Sequence, residues 1–85
     1  MYTYKTRGVC SQKIDFDLVE KDGKKYVTGV KFTGGCHGNT QGVARLIEGM
    51  EVEEAIARID GIRCGFKSTS CPDQLAQALK GALEQ

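Results

Sequence analysis

The chain has 85 residues, with 12 basic and 11 acidic side chains, one histidine and a formal net charge of +1. Both signs are mixed throughout, so neither generic nucleic-acid binding nor attachment to an anionic membrane surface is expected. Residues 1–7 hold no apolar signal-peptide core and no later run is long enough to span a bilayer, so a cytoplasmic location is expected.

Residues 2–6 alternate aromatic and polar side chains, the pattern of a short edge strand, and Gly8, Cys10 and Ser11 then interrupt it. Residues 13–20 carry Ile14, Phe16 and Leu18 on one face and Asp15 and Asp17 on the other, which is a half-buried strand. The two aspartates read as a solvated strand face and not as a catalytic pair. Asp22-Gly23 marks a hairpin turn, because that dipeptide tolerates positive φ. The returning strand covers residues 26–32, with Tyr26, Thr28, Val30 and Phe32 expected on one face.

Gly34-Gly35-Cys36-His37-Gly38-Asn39 turns the chain into a helix, with Asn39 or Thr40 expected as its cap. Val43, Leu46 and Ile47 mark its apolar face and Gly49 its end. Val52, Ala55, Ile56 and Ile59 mark a second helix, whose first turn carries the acids Glu51, Glu53 and Glu54 where the dipole favours them. Leu75, Leu79, Ala82 and Leu83 give the last helix its buried stripe. The fold class is α+β: a three-stranded antiparallel sheet followed by three helices packed on one face, in a single domain over residues 1–85.

The chemistry lies in the connections. Cys10, Cys36, Cys64 and Cys71 all fall outside the interiors of the regular elements, whereas cysteines recruited for packing belong on the periodic apolar faces. In a reducing compartment, four cysteines in so short a chain point to metal or redox chemistry before a disulfide framework. Four thiolates suit Zn²⁺ or an iron–sulfur cluster, and the sequence does not choose between them. No Cys-x-x-Cys spacing occurs, so this rests on location and compartment. Ser70 and Asp73 stand in a capping-box relation, with Pro72 in the first turn; Cys71 then lies among the free N–H groups at the positive end of a helix dipole, a setting that favours thiolate. His37 beside Cys36 reads first as a loop histidine of no consequence and only second as a fifth candidate ligand or proton carrier. The glycine turn lacks both the Walker lysine spacing and the dinucleotide fingerprint, so it reads as a plain turn, and Arg63 and Lys67 read as solvated charge.

Thr69-Ser70-Cys71-Pro72-Asp73 is, letter for letter, the motif that names the TSCPD domain. With the chain length, the four cysteines and the segment from Gly34 to Asn39, the sequence resembles the small stand-alone four-cysteine branch of that family. The family is related to a C-terminal domain of vitamin B12-dependent (class II) ribonucleotide reductases. The resemblance implies an accessory role near ribonucleotide reduction, and a ribonucleoside-diphosphate reductase label by homology. Eighty-five residues leave no room for the catalytic barrel, the cobalamin site or the effector site of that enzyme.

The element order is also similar to iron–sulfur scaffold proteins of the IscU/NifU type. Cys10, Cys36 and Cys71 fall at the places of the scaffold cysteines, and the segment from Ile47 to Ala55 resembles the scaffold's linking segment. Gln12 and Ser70 stand where the scaffold has aspartate and histidine, and Cys64 has no counterpart. The metal set is therefore Cys10, Cys36, Cys64 and Cys71, and the expected partner is a protein, either ribonucleotide reductase or iron–sulfur machinery, with a homodimer allowed. Three functions are open: a metal-binding module, a thiol redox participant cycling Cys64 with Cys71, and an interaction domain held together by zinc.

Overall fold

The computed structural model describes residues 2–9, 11–34, 37–63, 65 and 69–84. Strands β1 (Tyr2–Lys5), β2 (Ser11–Lys21) and β3 (Lys24–Gly34) form an antiparallel sheet in the order β1-β2-β3. Helices α1 (His37–Ile47), α2 (Val52–Ile59) and α3 (Cys71–Leu83) follow. This is the α+β arrangement expected, with longer central strands. The hairpin is closed by Asp22 and Gly23 at φ of 54° and 82°, which matches the right-handed twist of the paired strands.

Two irregularities in the β2–β3 ladder decide which side chains face inward. Between Asp15 and Asp17 the register on β3 advances from Lys31 to Thr28, so β3 carries one extra residue there. Gly29 lies within the bulge at φ 66°, a conformation that costs glycine nothing and an L-residue about 1–2 kcal/mol. The bulge inverts the alternation below it. Val27 is fully buried, while Tyr26 and Thr28 are only half-buried, so the single face expected for Tyr26, Thr28, Val30 and Phe32 is broken in the middle. The second irregularity lies between Ser11 and Lys13, which pair with Gly34 and Thr33, so the extra residue is on β2. Gln12 stays exposed and Ser11 is buried.

Ile14, Phe16 and Val27 from the sheet pack with Ile47, Val52, Ala55, Leu75 and Leu79 in one core. Burying the Phe16 ring stabilises the fold by about 2–3 kcal/mol, and Tyr2 stacks on it with centroids 5.2 Å apart. Asp15 accepts from Thr3 Oγ1 at 2.7 Å and lies 3.9 Å from Lys13 Nζ, both structural contacts within the sheet.

The outer edge of β3 is partly covered by the link between α1 and α2. Val27 N–H donates to the Met50 carbonyl at 2.8 Å, and Gly49 N–H donates to the Val27 carbonyl at 2.7 Å. The Glu48 carboxylate accepts from Gly29 N–H at 2.9 Å and from the Thr28 hydroxyl. The Thr28 hydrogen bond, then that of Gly29, holds Glu48 below its ordinary pKa. An unpaired edge is thereby closed to other chains along this stretch.

Helix α1 begins earlier than its expected Asn39 or Thr40 cap, at His37. On its face, Ile47 is buried but Leu46 is 78% exposed, a departure from the expected apolar stripe. Glu51 caps α2, accepting from the Glu53 and Glu54 N–H groups at 3.0 and 3.3 Å. Helix α3 packs Leu75, Ala76, Ala78, Leu79 and Ala82 against the core. Lys80 and Gln77 tie it to Asp60 at the end of α2, at 2.8 and 3.1 Å.

Candidate metal centre

Ser70 caps α3 as the sequence suggests. Its backbone is extended, its hydroxyl accepts from Asp73 N–H at 3.2 Å, and Pro72 occupies the first turn. The same hydroxyl donates to the Ile62 carbonyl at 2.7 Å, which anchors the segment after α2 to the start of α3. Asp73 does more than complete a cap. Its carboxylate accepts from Gly61 N–H at 2.7 Å, from the Thr69 hydroxyl, and from Gln77 Nε2 at 3.4 Å. Burial raises the Asp73 pKa, but these hydrogen bonds together with the Lys80 charge outweigh it and hold the group below its ordinary value.

Gln74 carries the network to the other end of the sequence. Its Nε2 donates to Thr69 Oγ1 at 3.0 Å, and its Oε1 accepts from Arg7 N–H at 3.0 Å. Gly8 lies against Thr69 as well: a Cβ at Gly8 would stand 3.5 Å from Thr69 Cγ2. Ser11 completes the approach, with its Oγ 3.2 Å from Cys71 Sγ. The first connection, the segment after α2 and the start of α3 are thus clamped together by Thr69, Ser70, Asp73 and Gln74. Family-model comparison gives the same motif its name: the model of the TSCPD domain matches residues 2–83. The chain belongs to the TSCPD family. No curated protein and no solved structure matches it.

The TSCPD motif therefore has a physical reading in this chain. Thr69, Ser70 and Asp73 bind backbone and side-chain groups of neighbouring segments, Pro72 supplies the helix start, and Cys71 is left facing Ser11. Of the expected metal residues, Cys71 is described; it is half-buried and forms no disulfide. Cys10, Cys36 and Cys64 lie outside the described residues, as do Lys67 and the side chain of His37. Among the described residues no group of three or more His, Cys, Asp or Glu side chains stands close enough to hold a metal.

The described neighbours of those three cysteines do meet. Ser11, which follows Cys10, pairs with Gly34, two residues before Cys36, and touches Cys71. Val9, which precedes Cys10, lines one cleft of about 460 Å³ with Cys71 and with Arg63, which precedes Cys64. Phe32, Val43, Leu46, Ile62 and Pro72 make the walls of that cleft largely apolar. The soft sulfur of Cys71 suits a soft metal over a hard oxygen-seeking one.

Sequence reasoning placed weight on the cysteines and missed Ser11 and Gln74. Gln74 left a faint signal, being polar beside Leu75 and four residues before Ala78 on the buried side of α3. Ser11 left none, since its inward turn comes from a bulge that alternation does not encode.

Proposed function

We propose that this TSCPD protein is a small metal-binding module in which Cys71 joins Cys10, Cys36 and Cys64 around one Zn²⁺ ion or iron–sulfur cluster. The observation that carries the reading is the Ser11–Cys71 contact at 3.2 Å together with the Ser11–Gly34 pairing. It brings the chain on either side of two connections to the sulfur at the start of α3. Val9, Arg63 and Cys71 around one cleft support the inclusion of Cys10 and Cys64. Thiolate ligands on four separate segments would cross-link a small fold whose core is modest. The family relation to a reductase domain supports an accessory role beside ribonucleotide reduction, exercised through a protein partner. The scaffold-like order of the elements favours iron–sulfur machinery as the alternative partner.

A second reading follows from Arg63 sharing the cleft with Cys71. Cys64 and Cys71 would then form a reversible disulfide and deliver two electrons to a reductase, two thiols giving one disulfide, two electrons and two released protons. Metal content separates the two, because a ligated thiolate is not free to cycle.

The test is anaerobic purification followed by elemental analysis and an absorption spectrum, on the parent and on each single Cys→Ser variant. The expected result is one metal centre per chain, lost in Cys71→Ser and weakened in the other three. Visible charge-transfer bands identify a cluster, and their absence with stoichiometric zinc identifies Zn²⁺. Metal content unchanged in Cys71→Ser would overturn the reading. A metal-free parent that loses two thiols together on mild oxidation would select the disulfide instead.

A further inference from the structure

Ser11 is a polar side chain turned into the interior by a strand irregularity. The extra residue at Gln12 takes it off the alternation of β2 and leaves it only 4% exposed. Its carbonyl is held by the Thr6 hydroxyl, and Thr6 N–H donates to the Gln12 carbonyl at 3.2 Å, so the bulge is fixed by the residue that follows β1. Among the described residues the hydroxyl meets Cys71 Sγ at 3.2 Å. A metal-bound sulfur carries no proton, so in the loaded protein the donor in this pair must be the serine.

We infer that Ser11 is a positioning residue of the proposed metal centre: its hydroxyl donates to the Cys71 sulfur, fixing that ligand's rotamer and drawing charge from it. The inference rests on the metal-binding reading of Cys71 and adds to it a residue outside the cysteine set. Outer partners of this kind orient a ligand and tune its donor strength, and removing one typically lowers metal affinity 10–100-fold. The bulge is what makes the contact specific. Strand irregularities commonly re-aim one side chain at a site, and here the re-aimed side chain meets the cysteine of the TSCPD motif.

The experiment compares Ser11→Ala and Ser11→Thr with the parent and with Cys71→Ser, by chelator competition for Zn²⁺ and by the sulfur-to-cobalt charge-transfer band of the Co²⁺-loaded proteins. Ser11→Ala is expected to bind Zn²⁺ about 10–100-fold more weakly. Its charge-transfer band should move to lower energy, because a sulfur lone pair that loses a donor is easier to ionise. Ser11→Thr, which keeps the hydroxyl, should hold the parent's band. A merely structural role for Ser11 moves stability and not the band. Should Ser11→Ala fail to fold, Ser11→Gly removes the same hydroxyl without adding volume and is read in the same way. Affinity and band unchanged in the alanine or glycine variant, with metal lost in Cys71→Ser, would overturn this inference alone. Metal retained in Cys71→Ser would overturn it together with the reading beneath it.

Discussion

At the residue scale, Asp73 shows how one carboxylate serves both helix and site. A cap needs only a short polar group at Ser70, and a glutamate or glutamine at position 73 would complete the usual box. Aspartate here reaches Gly61 N–H at 2.7 Å and the Thr69 hydroxyl, fixing the turn after α2 while Ser70 fixes Ile62 beside it. Its folded pKa lies below the ordinary 3.8. The charged form is therefore favoured by folding, and its contribution is fully present above that ordinary value and lost as the pH falls through the lower folded one. Asp73→Asn should destabilise by on the order of 2 kcal/mol at neutral pH. The gap between parent and variant should close in acid, below the ordinary carboxyl pKa. Denaturant unfolding at a series of pH values measures this, and a gap that stays constant into acid would assign the loss to shape and not to charge.

At the scale of elements, the sequence made the order and nature of all six legible, because each carries its own punctuation: Asp22-Gly23, Gly49, Gly61, and Ser70 with Pro72. What alternation could not supply was the pair of bulges. A period of two assumes one residue per step, and both strands of the hairpin break that rule, which exchanges Tyr26 and Thr28 for Val27 and brings Ser11 inward. Leu46 departs for a different reason: the face of α1 toward the core is narrow, with Ile47 taking it and Leu46 left beside the cleft. Gly29 tests the first bulge. Gly29→Ala forces an L-residue to φ 66° with open space around its Cβ, so the penalty is backbone strain alone, about 1–2 kcal/mol. Urea unfolding should show that loss with an unchanged m-value. A neutral result would mean that the strand relaxes out of the bulge, and Val27 exposure would then rise.

At the scale of the whole molecule, an 85-residue chain is expected to hold about 4–13 kcal/mol of net stability, of which a metal could supply a sizeable share. Leu79 is fully buried at the centre of α3, and Leu79→Ala should cost about 2–5 kcal/mol. If metal binding is linked to folding, free Zn²⁺ at a hundred times its dissociation constant returns about 2.7 kcal/mol. The expected outcome is that Leu79→Ala is partly unfolded in chelator and recovers with added zinc, its thermal midpoint rising with zinc concentration. A midpoint indifferent to zinc and chelator, in parent and variant alike, would separate the fold from any metal. No helix among the described residues is long and apolar enough to cross a membrane.

The reach of Gln74 to Arg7 spans 67 positions, and that of Cys71 to Ser11 spans 60. Such contacts close long loops, and loop closure has to be met before they stabilise anything. On the ribosome, a nascent chain that has emerged only through Ser70 holds the whole sheet, α1 and α2 but neither Cys71 nor Gln74. Its first strands can pair and its first two helices can dock, yet the clamp on residues 6–9 does not exist. The clamp that Cys71 and Gln74 make on the first connection is thus withheld from every nascent chain that stops short of the last helix.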